Sequence, residues 1–248
     1  FVNVNMSNVS ADPSTAIPLD SDQTSKLAEQ LRSKTLKRQL SAVTELASMG
    51  ESGVAVLITF LKDTTTDESS VAAGKIYQLL SISESVVAQT FLAEAFPNGV
   101  VPLISDRGID YQPLQGLLIA QEFEEADRVT LQKLCELAGA AAVQRKWVYF
   151  TEVDSFPVND LLTIDRLWRV YSEDRFGFSK QRELWLGLNQ NWDRLWEKLS
   201  WKSDNIWTRY PGEFVWDLSA PVGHLPLSNQ LRGVRMMEFL LSHPAWTP

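Results

Sequence analysis

Residues 123–139 read FEEADRVTLQKLCELAG, and within them Phe123, Ala126, Thr130, Leu134 and Leu137 recur at steps of three and four. That spacing gathers one side of a 3.6-residue helix, and Gly139 ends it. Glu124, Glu125 and Asp127 open or line this helix, where a solvated face accounts for them. Cys135 falls inside the apolar run and reads as a packing group rather than a nucleophile.

The same period extends in both directions. Upstream, Leu114, Leu117 and Leu118 form a short stripe, and Leu36, Leu40, Val43 and Ala47 form a longer one. Gly50 and Gly53 interrupt before Val54, Leu57, Ile58 and Leu61 begin a further helix. Ala72, Ile76, Leu79 and Leu80 mark another, as do Val87, Phe91 and Ala95, which Pro97 stops. Downstream, Leu161, Ile164, Trp168 and Tyr171 make a stripe with Asn159 or Asp160 placed to cap its first turn. Ser179 precedes a helix holding Leu184, Trp185 and Leu188, where its hydroxyl is expected to serve orphan amides. Trp192, Leu195, Trp196 and Leu199 follow. Only Trp147–Phe150 and Phe214–Trp216 pass as short extended pieces, so the expected class is all-α.

Composition divides this helical chain. Residues 1–24 hold no Lys or Arg, are rich in Ser, Asn, Thr and Pro, and are expected to be a flexible tail. Their lack of basic residues also argues against a transit peptide. Helical periodicity starts at about Leu27, and residues 25–105 are expected to form an N-terminal helical bundle. The Pro/Gly punctuation from Phe96-Pro97-Asn98-Gly99 to Asp106-Arg107-Gly108 marks a junction. All nine tryptophans lie beyond it, from Trp147 to Trp246, so residues 106–246 are expected to form a second domain built for other work.

Bulk properties exclude several classes. At 44 % hydrophobic and 22 % charged residues the 248-residue chain is an ordinary globular one. A net charge of −8 argues against nonspecific nucleic-acid binding, which requires Lys and Arg to neutralise phosphates. A single cysteine builds neither an internal disulfide nor a multi-cysteine zinc site, which makes a reducing, cytoplasmic setting the default. No apolar run spans a membrane, so any attachment is expected to be peripheral. No phosphate-loop signature is present with which to use ATP.

The functional signal sits in Trp201–Arg235. Trp201, Trp207, Tyr210, Phe214 and Trp216 crowd together around Pro211 and Gly212. On a loop, such rings either fold inward as a plug or line a concave surface. After Pro226 a last helix is expected, with Asn229, Arg232 and Arg235 three apart on one face. Flat apolar groups beside two guanidinium forks suit a flat apolar ligand that carries carboxylates at one edge. Arg235 could equally pair with Glu238. Asp217, Ser219 and His224 are close enough to suggest a triad, but Pro221 and Gly223 favour a tightly turned connection and no G-x-S-x-G elbow exists. His224 and His243 stand far apart without a zinc-pairing motif, so neither catalysis nor a protein-held metal is expected.

A resemblance sharpens this reading. Gly108-Ile109-Asp110-Tyr111 with Leu114, Ala126-Asp127 with Thr130, and Thr163-Ile164-Asp165 with Leu167-Trp168 carry it. Phe176-Gly177-Phe178-Ser179 with Gln181, Trp207-Thr208-Arg209, Leu218-Ser219-Ala220-Pro221 and Gly223-His224-Leu225-Pro226 continue it. Over residues 106–246 the chain resembles the genomes-uncoupled-four family, porphyrin-binding regulators of magnesium chelatase from cyanobacteria and chloroplasts. The segment 25–100 resembles the smaller helical domain that precedes the core in cyanobacterial members. The resemblance implies an all-helical core shaped like a cupped hand whose palm takes protoporphyrin IX and Mg-protoporphyrin IX. It implies that Arg232 and Arg235 grip the propionates, that Tyr210 stacks where other members carry tryptophan, and that Phe214 and Trp207 belong to a loop closing over the macrocycle. Asn229 would approach a porphyrin-bound magnesium. The implied partner is the H subunit of magnesium chelatase, with the chain a non-catalytic activator in chlorophyll biosynthesis. The alternative is a ligand-free helical interaction module.

Overall fold

The computed structural model describes residues 19–64, 70–227 and 234–247. The first helix, α1 (Leu19–Leu31), starts several residues before the Leu27 expected from periodicity, so residues 19–24 are helical. Next come α2 (Leu36–Ser48), α3 (Glu51–Asp63), α4 (Val71–Ser81) and α5 (Val86–Ala95). Ser70 and Ser85 cap the last two, each accepting a hydrogen bond from the amide three residues on. The α2 stripe buries Val43 and half-buries Leu36, Leu40 and Ala47, as its spacing predicts.

The second half opens with α6 (Gln112–Ile119), α7 (Phe123–Ala138), α8 (Ala140–Arg145) and α9 (Phe150–Val153). Then come α10 (Val158–Tyr171), α11 (Phe178–Gly187) and α12 (Trp192–Lys198), the last capped by Asn191. A two-stranded antiparallel hairpin follows, β1 (Lys202–Ser203) paired with β2 (Ile206–Trp207). The chain ends in α13 (Arg235–Ser242) and a short 3-10 turn, Pro244–Trp246. The class is all-α with one small hairpin.

Two expected caps do other work. Asp160 is fully buried inside α10, where it accepts hydrogen bonds from Ser105 Oγ at 2.5 Å, the Asp106 amide at 2.9 Å and the Tyr111 hydroxyl at 2.8 Å. It therefore pins the inter-half connection rather than the start of its own helix, which begins after Pro157. Ser179 lies inside α11, not before it. Its amide and hydroxyl both donate to buried Asp165, at 2.8 and 2.6 Å. A buried carboxylate must find donors, and these two serve it. The extended pieces expected at Trp147–Phe150 and Phe214–Trp216 are absent; Phe150 begins α9, and the strands lie at 202–207.

The two halves share one continuous core from Leu27 to Ala245. The joint is α4, which packs on α2 and on α10. Gly74 allows it: a Cβ there would fall 2.4 Å from Val170 Cγ1 and 2.7 Å from the Val170 carbonyl oxygen. Gln78 Nε2 donates to the carbonyls of Leu118, Ile119 and Tyr171, each at 3.2 Å, closing the ends of α6 and α10 onto α4. Lys75 pairs with Glu173 at 2.7 Å beside it. Deeper in the second half, Trp168 stacks on Phe123 at 6.0 Å and donates Nε1–H to Thr130 Oγ1 at 2.9 Å. This fixes the N-terminal end of α7, on which the candidate site is built.

Candidate functional site

The segment from Trp201 to Leu227 is held by its own backbone chemistry. Asp204 and Asn205 both take positive φ, 49° and 64°, as a two-residue hairpin turn of type I′ requires. Sequence periodicity missed this hairpin, for which Asp204-Asn205, a pair that tolerates positive φ, is the available signal. Trp201 is fully buried, its Nε1–H donating to the His224 carbonyl at 2.9 Å. It stacks on Trp196 at 5.5 Å, which in turn stacks on Trp192 at 5.3 Å, with Trp185 beyond at 4.9 Å. Trp207 stands half-buried against Trp196 at 5.8 Å. These rings form a wall that supports the hairpin.

His224 locks the rest of the segment. The Val215 amide donates to Nε2 at 3.3 Å, which leaves Nδ1–H to donate to the Leu199 carbonyl at 2.5 Å. Both ring nitrogens are spent on a neutral imidazole, and burial lowers its pKa below the ordinary value. Asp217 and Ser219 are exposed and bond each other, Ser219 N to Asp217 Oδ1 at 2.7 Å, so these three residues form no triad. Gly223, at φ 80°, makes the tight turn; a Cβ there would come within 2.9 Å of Leu184 and Leu199. Gln181 ties the turn down by donating to the carbonyls of Gly223 and Pro226.

The expected aromatic residues separate by burial. Phe214 is buried, wedged between His224 at 5.5 Å and Trp216 at 5.9 Å. Its ring is part of the segment's own core, while Tyr210 is 53 % exposed and meets half-buried Trp216 edge to face at 5.9 Å. Tyr210 and Trp216, with Phe123, Gln121, Glu122 and Glu124, line an open hollow of about 420 Å³ at the start of α7. Plug and lining therefore both occur: Trp201 and Phe214 go inward, and Tyr210 and Trp216 face the opening.

Asp127, expected on a solvated face, is buried instead. It accepts a 2.6 Å hydrogen bond from the Leu227 amide and so anchors the end of the segment to α7. Burial, with the negative charge of Glu124 nearby, pushes its pKa up to about 7 against the one favourable amide. Burial, with the same acidic neighbours, raises the pKa of the Tyr210 hydroxyl.

Arg235 opens α13 and is exposed. Its guanidinium lies 5.3 Å from the centre of the Phe150 ring, and Phe150 packs on Phe239 at 5.1 Å. No ion pair to Glu238 forms, and among the described residues Arg235 meets no carboxylate. Phe150 and Phe239 are thus neighbours of Arg235 that sequence spacing missed, because α9 and α13 meet only in the fold. Arg145, nearby in sequence, rests on Trp147 and Tyr149 but is neutralised by Glu152. Asn229 and Arg232 lie outside the described residues. Among the described residues the arrangement offers the Arg235 guanidinium on an aromatic bed and, lining a hollow that does not include Arg235, an aromatic corner at Tyr210 and Trp216.

Comparison with known proteins adds a family to this geometry. A GUN4-like family model matches residues 104–244, and a model described as an ARM-like repeat domain, GUN4-N terminal, matches residues 17–97. A Ycf53-like protein from Synechocystis is 50 % identical over 92 % of this chain and 98 % of that protein. A chloroplastic tetrapyrrole-binding protein from Arabidopsis thaliana is 38 % identical over 55 % of each chain. The structure of GUN4 from Chlamydomonas reinhardtii superposes with a TM-score of 0.56 at 39 % identity, covering 60 % of this chain and 95 % of that one.

Proposed function

The chain belongs to the GUN4 family, and we propose that it binds a tetrapyrrole on the face bounded by α7, the aromatic segment and the start of α13. The observation that carries the reading is Arg235, exposed, free of any described carboxylate and seated on the Phe150 ring. An arginine held on an aromatic face by dispersion and cation–π attraction keeps its fork available for a carboxylate. The ligands are protoporphyrin IX and Mg-protoporphyrin IX. Arg235 and Arg232 take the propionates, and Tyr210 and Trp216 supply flat apolar contact. Phe214 and Trp207 act from behind, holding the segment in shape. Asn229 is assigned to the magnesium of the loaded pigment. Among the described residues no cluster of His, Cys, Asp and Glu suits a free metal ion, so the metal would arrive inside the macrocycle.

In this reading the protein is a carrier and activator, not a catalyst. It delivers the pigment to the H subunit of magnesium chelatase and raises that enzyme's output. No described helix is long and apolar enough to cross a membrane, and contact with one would be peripheral. Titration with protoporphyrin IX tests the proposal. Tryptophan emission should be quenched and saturate at one pigment per chain, with the pigment spectrum then stable over hours. An unquenched titration would favour the ligand-free interaction module, and a drifting spectrum would favour an enzyme.

A further inference from the structure

A second groove, of about 650 Å³, runs between α10, α11 and the C-terminal turn. Its walls are Val158, Leu162, Leu186 and Trp246, with Arg169 and Arg182 at the rim. Val158 and Leu186 are 42 % and 39 % exposed, although each stands on a helix whose other face is core. An apolar trough beside arginine side chains has the chemistry to seat an amphipathic segment.

The charges are unevenly spent. Asp165, at the floor, is closed off by the two hydrogen bonds from Ser179. Glu183 and Asp174 are both engaged by Lys180, at 3.3 and 2.8 Å, and Asp174 also takes Arg169 Nε at 2.7 Å. Arg182 gives only its Nε, to the Leu241 carbonyl at 3.0 Å, and its terminal nitrogens have no partner among the described residues. Arg166, one turn before Arg169 on α10, is likewise without an ion pair there and continues the rim toward Val71. The charges lining the groove balance, Arg169 and Arg182 against Asp165 and Glu183, so the cation left to spend is the outer fork of Arg182, with Arg166 beside it in the adjoining hollow.

We propose that this groove docks an acidic segment of a partner protein, with carboxylates on Arg182 and Arg166 and an apolar side chain seated between Leu162, Leu186 and Trp246. Guanidinium forks favour carboxylates and give orientation as well as attraction. The groove also lies one helix from Arg235, the residue on which the proposed pigment binding rests. Arg182 closes the C-terminal end of α13 at Leu241, and Arg235 stands at its N-terminal end, about 9 Å away along the helix axis. Docking does not depend on what the other face binds.

Fluorescence anisotropy on the full chain tests it, using a short labelled peptide of Asp, Glu and Leu and a Lys/Leu peptide of equal length. The acidic peptide should bind in a salt-dependent way and the basic one should not. Leu186→Asp and Arg182→Glu should each weaken binding at least tenfold with the melting temperature unchanged. Should Arg182→Glu disturb α13, Leu186→Asp, at an exposed position, decides alone. Equal binding of both peptides, or undiminished binding by Leu186→Asp, overturns the proposal. So does flotation with phosphatidylglycerol vesicles that Arg182→Glu abolishes while the peptide stays unbound, which assigns the groove to lipid. Self-association lost in Leu186→Asp, seen by sedimentation, would assign it to a second copy and overturn the proposal too.

Discussion

Replacing Asp127 by Asn should stabilise the protein at pH 8 and do so by less than half as much at pH 5. Asp127 is buried in α7 with one amide, that of Leu227, as its donor. Its pKa stands at about 7 in the fold, against 3.8 for an ordinary aspartate. Between those values the folded state holds a proton that the unfolded state has released. The stabilisation is therefore complete below about pH 4 and is lost as pH rises through 7. At 1.36 kcal/mol for each tenfold, the gap is worth roughly 4 kcal/mol at most, and water entering beside the ionised group reduces it to about 2–4 kcal/mol. Asn keeps the oxygen that accepts from Leu227 and cannot ionise, so it escapes that loss. For a chain of this size 1 kcal/mol moves the melting temperature by about 2–4 °C, which predicts a gain of about 5–15 °C at pH 8. Thermal melts of both proteins at pH 5, 6, 7 and 8, read by near-ultraviolet circular dichroism, measure the difference directly. An Asn variant less stable than the native chain at pH 8, or offset equally at pH 5 and pH 8, would show that Asp127 does not carry a raised pKa in the fold.

Three further outcomes are expected. In the Asp127→Asn background stability should fall as pH drops below about 6.5, because burial lowers the pKa of His224 and His243 and the unfolded chain then takes up more protons; a flat profile between pH 7 and 5 would contradict this. Gly74→Ala places its methyl against the Val170 backbone oxygen, which cannot step aside, and should cost about 1–3 kcal/mol in a denaturant melt. Gln78→Leu removes the donor shared by three carbonyls at the joint and should cost about 1–3 kcal/mol, with amide exchange quickened at the ends of α6 and α10.

The helices were legible because burial of one face imposes its period on the residues. Phe123, Ala126, Thr130 and Leu134 lie on the buried side of α7, and Leu161, Ile164, Trp168 and Tyr171 on that of α10. What failed was the assignment of polar groups whose partners are distant in sequence. Asp160 and Ser179 look like local caps until the fold brings Ser105, Tyr111 and Asp165 to them. Asp127 looks solvated until Leu227 arrives a hundred positions later. The hairpin at 202–207 is set by Asp204 and Asn205, turn chemistry rather than alternation, in strands too short to show a period of two. Crowding in sequence anticipated that Tyr210, Phe214 and Trp216 would be neighbours, but could not divide buried Phe214 from exposed Tyr210. It had no means of pairing Arg235 with Phe150.

On the function proposed above, Arg235, presented on Phe150, receives a carboxylate of the pigment. The decisive measurement compares protoporphyrin IX with its dimethyl ester on the native chain and on Arg235→Glu. A charged hydrogen-bonded pair is worth about 1.5–3 kcal/mol, so the variant should bind the diacid roughly ten- to a hundredfold more weakly while its affinity for the ester barely changes. An equal loss for both pigments, or no loss for the diacid, would contradict the account.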